Sequence, residues 1–582
     1  MLPLLQIKNL TVDFPGTGSD HPALQDFSLE LHRGELLAVV GESGSGKSVM
    51  SLSLMQLLNP AARIRKGSIF FSEDGRESVD LLSLSEKKWQ GYRGNRMAMI
   101  FQEPMTSLNP VMTCGKQICE PLMLHKGLNW QQARSEALSL FEKVHLPDPS
   151  VVFKKYPHQL SGGQKQRVMI AMAISCHPAL LICDEPTTAL DVRVQKTILD
   201  LLKDLRYSEQ MGMIFITHDL GLVADMADRA LVMLRGRVVE SGPVKELFVH
   251  PQHPYTRGLL NCRPALHKKG ERLPVVADFL HDSKEPQRGM SSAMEWQHPR
   301  LIAGGYAEKE RTGNPATESQ ILVKVQGLQV RYASGKNWLG RPGPGVDALQ
   351  DIHFEVFRGE TLGIVGESGS GKTTLGRTLL GLNKPVRGRV MYGDRDLLTM
   401  SKGDLLAFRR NIQIVFQDPY SSLNPRLMIG PAIAEPMQVH SRSSRRERKE
   451  RVLDLLRQVD LEPGHFNRYP HAFSGGQRQR IVIARALALD PGFVVFDESV
   501  SALDVSVQAQ VLNLINDLKM NLGFTAVFIS HDLSVIRYLC NRVLVMEKGR
   551  IVESGEVEQV YNDPQTGYTR SLIAAIPGGK LA

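Results

Sequence analysis

Short apolar runs of strand length recur along the chain, and each stops at a polar or glycine-rich stretch. "ELLAVVGESGSGKSVMSLSLMQLL" predicts a buried strand, a glycine loop and a helix. "ALLICDEP" and "GMIFITHD" predict short strands ending in polar residues, as central parallel strands do. "ALVMLRGRVVESG" and "VLVMEKGRIVESG" each predict strand, tight glycine turn, strand. Charged helical patterns lie between them, for example "RRERKERVLDLLRQV" at 445–459, whose basic residues read as a solvated helix face rather than a nucleic-acid site. Residues 262–320 are polar and rich in turn formers, and read as a linker or small appendage.

The pattern occurs twice. "GESGSGKS" at 41–48 returns as "GESGSGKT" at 366–373, "FQEPMTSLNP" at 101–110 as "FQDPYSSLNP" at 416–425, and "SGGQKQR" at 161–167 as "SGGQRQR" at 474–480. "CDEPTTALDV" is answered by "FDESVSALDV", and "FITHDL" by "FISHDL". Ser161 to Asp184 and Ser474 to Asp497 both span 23 positions, and Asp184 to His218 and Asp497 to His531 both span 34. From Lys47 to Gln102 there are 55 positions against 45 from Lys372 to Gln417, which predicts a surface excursion around "SEDGRESVDLLSLSEKK". The chain therefore divides into 1–261, a polar link at 262–320, and 321–582, each half α/β.

Composition narrows the class. With 582 residues, 42% hydrophobic and 23% charged, the chain has the balance of several globular domains. Its apolar runs fall far short of the roughly 20 residues a membrane span needs, and "MLPLLQIKNLTVDF" lacks the features of a secretory signal, so a cytoplasmic location is expected. Six scattered cysteines without a C-x-x-C pair offer no zinc or iron–sulfur site and read as reduced, buried thiols. A net charge of +9 selects no partner by itself.

G-x-x-x-x-G-K-[ST] between a strand and a helix brings backbone N–H groups against phosphates, with the helix N-terminus adding a favourable field. Gly41, Ser43, Gly44 and Gly46, and Gly366, Ser368, Gly369 and Gly371, form the two loops. Lys47 and Lys372 are expected to reach the β- and γ-phosphates, and Ser48 and Thr373 to ligate Mg²⁺. Asp184 and Asp497 close apolar strands, where a lone carboxylate is costly unless it meets a cation, so water-mediated Mg²⁺ ligation is expected. Glu185 and Glu498 follow as candidate general bases, and His218 and His531 as γ-phosphate sensors or structural histidines.

With the P-loop, a Gln segment, "LSGGQ" at 160–164 and "FSGGQ" at 473–477, "DE" after a strand, "ALD" at 189–191 and 502–504 and a downstream His, both halves resemble ATP-binding cassette ATPases. The resemblance covers nearly the whole chain outside 262–320. It implies two P-loop nucleotide-binding domains in tandem, each with a RecA-like core, an antiparallel β subdomain and an α-helical signature subdomain.

It also implies head-to-tail sites. One would use Lys47, Ser48, Gln102, Asp184, Glu185 and His218 with Ser474, Gly476 and Gln477; the other would use Lys372, Thr373, Gln417, Asp497, Glu498 and His531 with Ser161, Gly163 and Gln164. Gln102 and Gln417 would join the Mg²⁺ ligands, Asp191 and Asp504 would link the sites, and Phe14 and Tyr332 stand where an aromatic stacks on adenine or fills the core. Phe473 for Leu and Ser499 for Pro depart from the family pattern without removing a catalytic group.

The Gln segments, "HPQHPYTRGLL" at 250–260 and the weaker "NDPQTGYTRSLI" at 562–573 resemble the dipeptide, oligopeptide and nickel importer branch, including its fused two-cassette peptide and glutathione importer ATPases. That resemblance implies an ATPase held peripherally at the cytoplasmic face of the bacterial inner membrane. Its partners would be two integral membrane permease subunits and, through them, an extracytoplasmic solute-binding protein, with no nucleic acid. Pro104, Met105 and Leu108, with Pro419, Tyr420 and Leu423, would grip those permeases or pack the helical subdomain. Soluble tandem cassettes acting on ribosomes or DNA are the alternative; the Pro- and Gly-interrupted 262–320 and the lack of zinc-spaced cysteines argue against them.

Overall fold

A computed structural model describes residues 2–15, 22–102, 107–187, 190–280, 320–332, 345–441 and 443–576. These form two units, residues 2–260 with 276–280, and residues 261–275 with 320–576.

The strands of the first unit are β1 (Leu5–Asp13), β2 (Leu24–Leu31), β3 (Leu36–Val40), β4 (Arg63–Phe71), β5 (Val79–Asp80), β6 (Met97–Ile100), β7 (Leu180–Asp184), β8 (Gly212–Thr217), β9 (Arg229–Leu234) and β10 (Arg237–Pro243). An antiparallel sheet runs β2-β1-β4-β5 and a six-stranded sheet β10-β9-β3-β8-β7-β6. Strands β3, β6, β7, β8 and β9 are mutually parallel, and β10 closes the edge antiparallel to β9. All five residues of β3 and of β7 are buried, which explains why they read as unbroken apolar runs.

The two faces of the central sheet serve different cores. Leu180 and Ile182 of β7 pack with the antiparallel sheet and with Met50 and Leu54 of the helix Lys47–Leu54. Leu181 and Cys183 point the other way, towards the helices Cys114–Lys126, Trp130–Lys143 and Gly162–Ile174. The period-two alternation of strand side chains thus joins both subdomains to one sheet.

The second unit repeats this with β11 (Ile321–Tyr332), β12 (Val346–Phe357), β13 (Thr361–Gly366), β14 (Arg387–Tyr392), β15 (Arg395–Asp396), β16 (Ile412–Val415), β17 (Phe493–Asp497), β18 (Thr525–Ile529), β19 (Arg542–Glu547) and β20 (Arg550–Glu556). Its sheets run β12-β11-β14-β15 and β16-β17-β18-β13-β19-β20. The β9–β10 and β19–β20 turns carry positive φ at Arg235 (48°) and Gly236 (80°), and at Lys548 (46°) and Gly549 (80°). Two consecutive positive φ values make the primed turn that the strand–Gly–strand pattern predicts.

The excursion in the first half is only partly superficial. The β4–β5 turn and residues 85–88 are largely exposed, whereas Leu81 and Trp89 are buried and Trp89 Nε1 donates to Leu81 O at 3.1 Å. The basic helix Arg445–Gln458 buries Val452, Leu455 and Leu456 and exposes Arg445, Arg446 and Lys449.

Of the stretch expected as a polar link, the first part is built into the second unit. Asn513 accepts from Leu273 N–H at 3.0 Å and donates to Leu273 O at 2.8 Å, and Tyr538 Oη donates to Glu271 O at 2.7 Å. Leu273 is buried between these partners. All six cysteines are buried. Among the described residues, no helix is long and apolar enough to cross a membrane.

Candidate active sites

The order β3-β8-β7 lays the carboxyl ends of three parallel strands side by side, and each is followed by chemistry: Gly41 after β3, Asp184–Glu185 at β7 and His218 after β8. β13, β18 and β17 do the same for Gly366, His531 and Asp497–Glu498. Sequence spacing could not reveal this convergence, because the strand order differs from the chain order.

At each loop the backbone turns sharply before the helix. Gly46 and Gly371 both have φ 103°, and a Cβ there would stand 2.7 Å from Ala23 O or 2.6 Å from Ala348 O, so only glycine fits. Ser43, Gly44, Ser368 and Gly369 are exposed, whereas Gly41 and Gly366 are buried. The buried Lys47 ammonium donates to Gly41 O at 2.6 Å and Glu42 O at 2.9 Å; Lys372 donates to Gly366 O at 2.8 Å and Glu367 O at 2.9 Å. A cavity of about 180 Å³ in the first unit is bounded by Ser43, Gly44, Lys47, Ser48, Gln102 and Glu185. That space suits a phosphate tail rather than a whole nucleotide, since small-molecule pockets run to roughly 300–1,000 Å³.

Two carboxylates lie beside the loop with different surroundings. Asp184 is pushed up to about 6, mainly by burial and then by the charge of Glu185, against the hydroxyls of Ser51 and Ser48 and the charge of Lys47. Its Oδ1 is buried without a hydrogen-bond partner, while Ser51 Oγ donates to Oδ2 at 3.3 Å. A hard oxygen left unpartnered beside a serine hydroxyl fits Mg²⁺. Asp497 is also raised by burial, with Thr373 Oγ1 donating to its Oδ1 at 3.1 Å and Glu498 raising it further. No cluster of three His, Cys, Asp or Glu residues in metal-holding arrangement occurs among the described residues, and a hydroxyl–carboxylate pair of this kind does not need one.

The neighbouring glutamates are gripped from two sides. Gln102 Nε2 donates to Glu185 Oε2 at 3.0 Å, and His218 Nδ1 lies 3.3 Å from the same oxygen. Gln417 Nε2 donates to Glu498 Oε2 at 2.8 Å, with His531 Nδ1 at 3.5 Å and Lys372 Nζ 3.8 Å from Oε1. Burial would raise Glu498, yet it sits below its ordinary value because the His531 bond and charge and the Lys372 charge outweigh that cost. Glu185 and Glu498 adopt left-handed backbone, φ 47° and 45°, held by bonds from their N–H groups to Ile216 O and Ile529 O. The same left-handed turn directly after the buried aspartate in both units sets where each carboxylate leaves the strand end. In these groupings Gln102 and Gln417 bind the glutamates.

The signature residues cap their own helices. Ser161 accepts from Gln164 N–H at 3.3 Å while Gln164 Oε1 accepts from Ser161 N–H at 3.1 Å, and Ser474 and Gln477 form the same box. At Gly163 and Gly476 a Cβ would stand 2.7 Å from Val194 Cγ1 and 2.2 Å from Val507 Cγ1, so these glycines allow close helix packing. Asp191 caps the helix Val192–Glu209 through Val194 N–H at 2.9 Å, a local role; Asp504 makes no such side-chain cap.

Phe14 is half-buried and Tyr332 is 46% exposed, with Asn383 Nδ2 donating to the Tyr332 hydroxyl at 3.1 Å. Leu108 and Leu423 are buried, as is Pro419, so these residues pack the helical subdomain and present no gripping surface. Tyr420 is exposed and lies under Arg478, 3.9 Å from guanidinium to ring centroid. Pro104 and Met105 lie outside the described residues.

Sequence reasoning missed a further contact. Glu42 N–H donates to the Tyr255 hydroxyl at 3.0 Å, and Glu367 N–H donates to the Tyr568 hydroxyl at 3.0 Å. The signal was the "YTR" shared by the two downstream segments, which carries no hint of its partner.

Known proteins resemble this chain over nearly its whole length. A family model described as ABC transporter matches residues 24–188 and 349–501, and one described as oligopeptide/dipeptide transporter, C-terminal region, matches 239–289. The glutathione import ATP-binding protein GsiA of Salmonella typhimurium strain LT2 is 45% identical over 580 residues, covering 99% of this chain and 89% of that protein. The protein of that name from Escherichia coli strain K12 is 46% identical over 575 residues, with the same coverage. A solved dimeric ATP-binding cassette in a post-hydrolysis state, bound to ADP and Pi, is 30% identical and covers 40% of this chain and 98% of its own, with a TM-score of 0.37.

Proposed function

The chain belongs to the ABC transporter family, and on that premise we propose that it is the ATP-hydrolysing motor of a bacterial importer for peptide-type solutes, glutathione among them. One observation carries the motor reading: in both units a glutamine and a histidine converge on the glutamate that follows a buried aspartate, beside a P-loop lysine. Glu185 and Glu498, oriented on one oxygen by Gln and His, polarise the attacking water, and Lys47 and Lys372 turn from loop carbonyls to the phosphates. Ser48 with Asp184, and Thr373 with Asp497, would hold Mg²⁺, which neutralises charge on the phosphate oxygens when bound.

Each P-loop is completed in this reading by the signature of the other cassette, with the Ser161 and Ser474 helix starts supplying N–H groups and hydroxyls to the γ-phosphate. ATP then closes the cassettes and hydrolysis releases them. The solute class rests on the match of residues 239–289 and on the relatives' import of glutathione. Two permease subunits would hold the motor at the cytoplasmic face of the membrane, with Tyr420 a candidate contact, and a solute-binding protein would deliver cargo.

The test is co-purification from membranes, followed by ATP hydrolysis measured with and without loaded solute-binding protein. Permease subunits in the complex and stimulation by a glutathione-loaded binding protein are expected. Co-sedimentation with ribosomes and none with membranes would overturn the reading, and stimulation by a different solute would change the cargo alone.

A further inference from the structure

We propose that Tyr255 and Tyr568 are positioning residues for the two nucleotide-binding loops, and that through their hydroxyls the downstream tail of each cassette sets how well its own loop receives ATP. The inference rests on the ATPase reading, and it assigns a purpose to a segment the hydrolytic chemistry does not use.

The loop residue involved is held at both ends of its backbone. Glu42 N–H is bonded to the Tyr255 hydroxyl at 3.0 Å, and Glu42 O receives the Lys47 ammonium at 2.9 Å. In the second cassette Glu367 is held by Tyr568 at 3.0 Å and by Lys372 at 2.9 Å. When the ammonium turns towards phosphate, the carbonyl contact is given up and the tyrosine contact is the one that stays. It would then keep the Glu42 peptide oriented while the rest of the loop closes on an anion.

Each tyrosine is itself fixed to the sheet that carries the loop. Tyr255 is fully buried on the helix Pro254–Asn261. The entry to that helix is pinned by Glu240 of β10, whose carboxylate accepts from Gln252 N–H at 2.7 Å and His253 N–H at 3.1 Å. In the second cassette Glu553 of β20 accepts from Gln565 N–H at 2.8 Å and Thr566 N–H at 3.1 Å. The helix caps differ: Tyr255 N–H donates to His253 Nδ1 at 3.1 Å, whereas Thr569 N–H donates to Thr566 Oγ1 at 3.1 Å. The capping chemistry has diverged between the two copies, yet the hydroxyl-to-loop bond has the same partner and the same length. Residues 239–289 alone match the peptide-transporter tail family, so the second copy of this device is one that the family match does not mark.

A tyrosine that merely filled the core would be replaced by phenylalanine without consequence for the loop. Tyr255→Phe and Tyr568→Phe keep the ring and leave a loop N–H without its acceptor, a loss of about one net hydrogen bond. Thr256→Val is the matched control, because the Thr256 hydroxyl is buried on the same helix and has no hydrogen-bond partner.

The experiment uses the purified full chain, with binding of a fluorescent ATP analogue and steady-state hydrolysis. Each Tyr→Phe change should weaken ATP binding and raise KM about five- to tenfold, with kcat within about twofold and the nucleotide-free melting temperature nearly unchanged. Thr256→Val should alter neither. Unchanged ATP affinity in both phenylalanine variants would overturn the inference alone, as would a lowered melting temperature with unaltered KM. A parent chain that binds no ATP would remove the ATPase reading and this inference together.

Discussion

The two candidate sites share their connectivity and differ in how charge is balanced. In the first cassette Ser51 Oγ reaches Asp184, whereas the matching position in the second is Gly376, where a Cβ would lie 2.7 Å from Ile529 Cδ1. The second cassette has Arg377 where the first has Leu52, and Arg377 joins the Thr373 hydroxyl and Lys372 in opposing the rise that burial gives Asp497. Lys372 also lies 3.8 Å from Glu498. Both sites set a hydroxyl and the P-loop lysine against burial; the first, with Asp184 near 6, adds a second hydroxyl, and the second adds the Arg377 cation. Identical loop letters therefore do not guarantee identical electrostatics, because the balancing groups sit one helical turn beyond the motif.

The strongest way to break the comparison is to remove both bases. Glu185→Gln with Glu498→Gln should lower ATP hydrolysis by roughly 10²- to 10⁴-fold, the usual worth of a general base, while ATP binding persists. Phosphate release and nucleotide binding measured on one preparation check this, and hydrolysis at the parental rate would refute the base assignment. The single variants sharpen this, since Glu498→Gln also removes a partner of Lys372 and should disturb nucleotide affinity as well as hydrolysis.

Stability gives a second contrast. The Asp184 carboxyl rises from 3.8 to about 6 on folding, so between those values the folded chain binds a proton that the unfolded chain has released. Ionisation then costs stability as pH rises through the window, up to on the order of 2–3 kcal/mol above it. Asp184→Asn should raise the nucleotide-free melting temperature of the first cassette by several degrees at pH 7.5 and by little at pH 4. Asp497→Asn should act in the same direction and less strongly, since Arg377 already offsets part of the cost. Calorimetry at the two pH values checks both, and destabilisation by Asp184→Asn at pH 7.5 would refute the buried-charge account.

These asymmetries mark where the sequence stops being legible. The duplicated motifs, the apolar strands ending at Asp184 and Asp497 and the primed turns at Gly236 and Gly549 could be read because each depends on neighbours in the chain. The left-handed glutamates, the Ser51–Asp184 contact and the Tyr255–Glu42 bond could not, since their partners come from separate strands or from helices some 130 to 210 positions away. The excursion after β4 was legible in place and not in depth. Five of its ten extra residues fall in the β4–β5 turn, eight positions from Phe71 to Val79 against three from Tyr392 to Arg395. Yet Leu81 and Trp89 beyond it are core residues, which a polar composition conceals. Residues 262–275 misled for a similar reason, because backbone bonds to Asn513 and Tyr538 hold them and no apolar periodicity announces that.

The smallest expected effect concerns the aromatic positions. Tyr332 is held by Asn383 and lies 3.4 Å from Thr374 Oγ1, whereas the first cassette has Phe14, Leu58 and Val49 at the corresponding places. A hydroxyl tied to its neighbours limits how far the ring can tilt to meet a base, while Phe14 lacks that hydroxyl. Tyr332→Phe makes the second site resemble the first, and Phe14→Tyr supplies a hydroxyl without the Asn and Thr partners. With Lys47→Ala isolating the second site, Tyr332→Phe should change ATP affinity by about two- to threefold, the scale of one exposed hydrogen bond. With Lys372→Ala isolating the first, Phe14→Tyr should change it less. If Tyr332→Ala, which removes the ring entirely, also left ATP affinity unaltered, the aromatic would be a packing residue and the contrast between the two sites would end at the carboxylates.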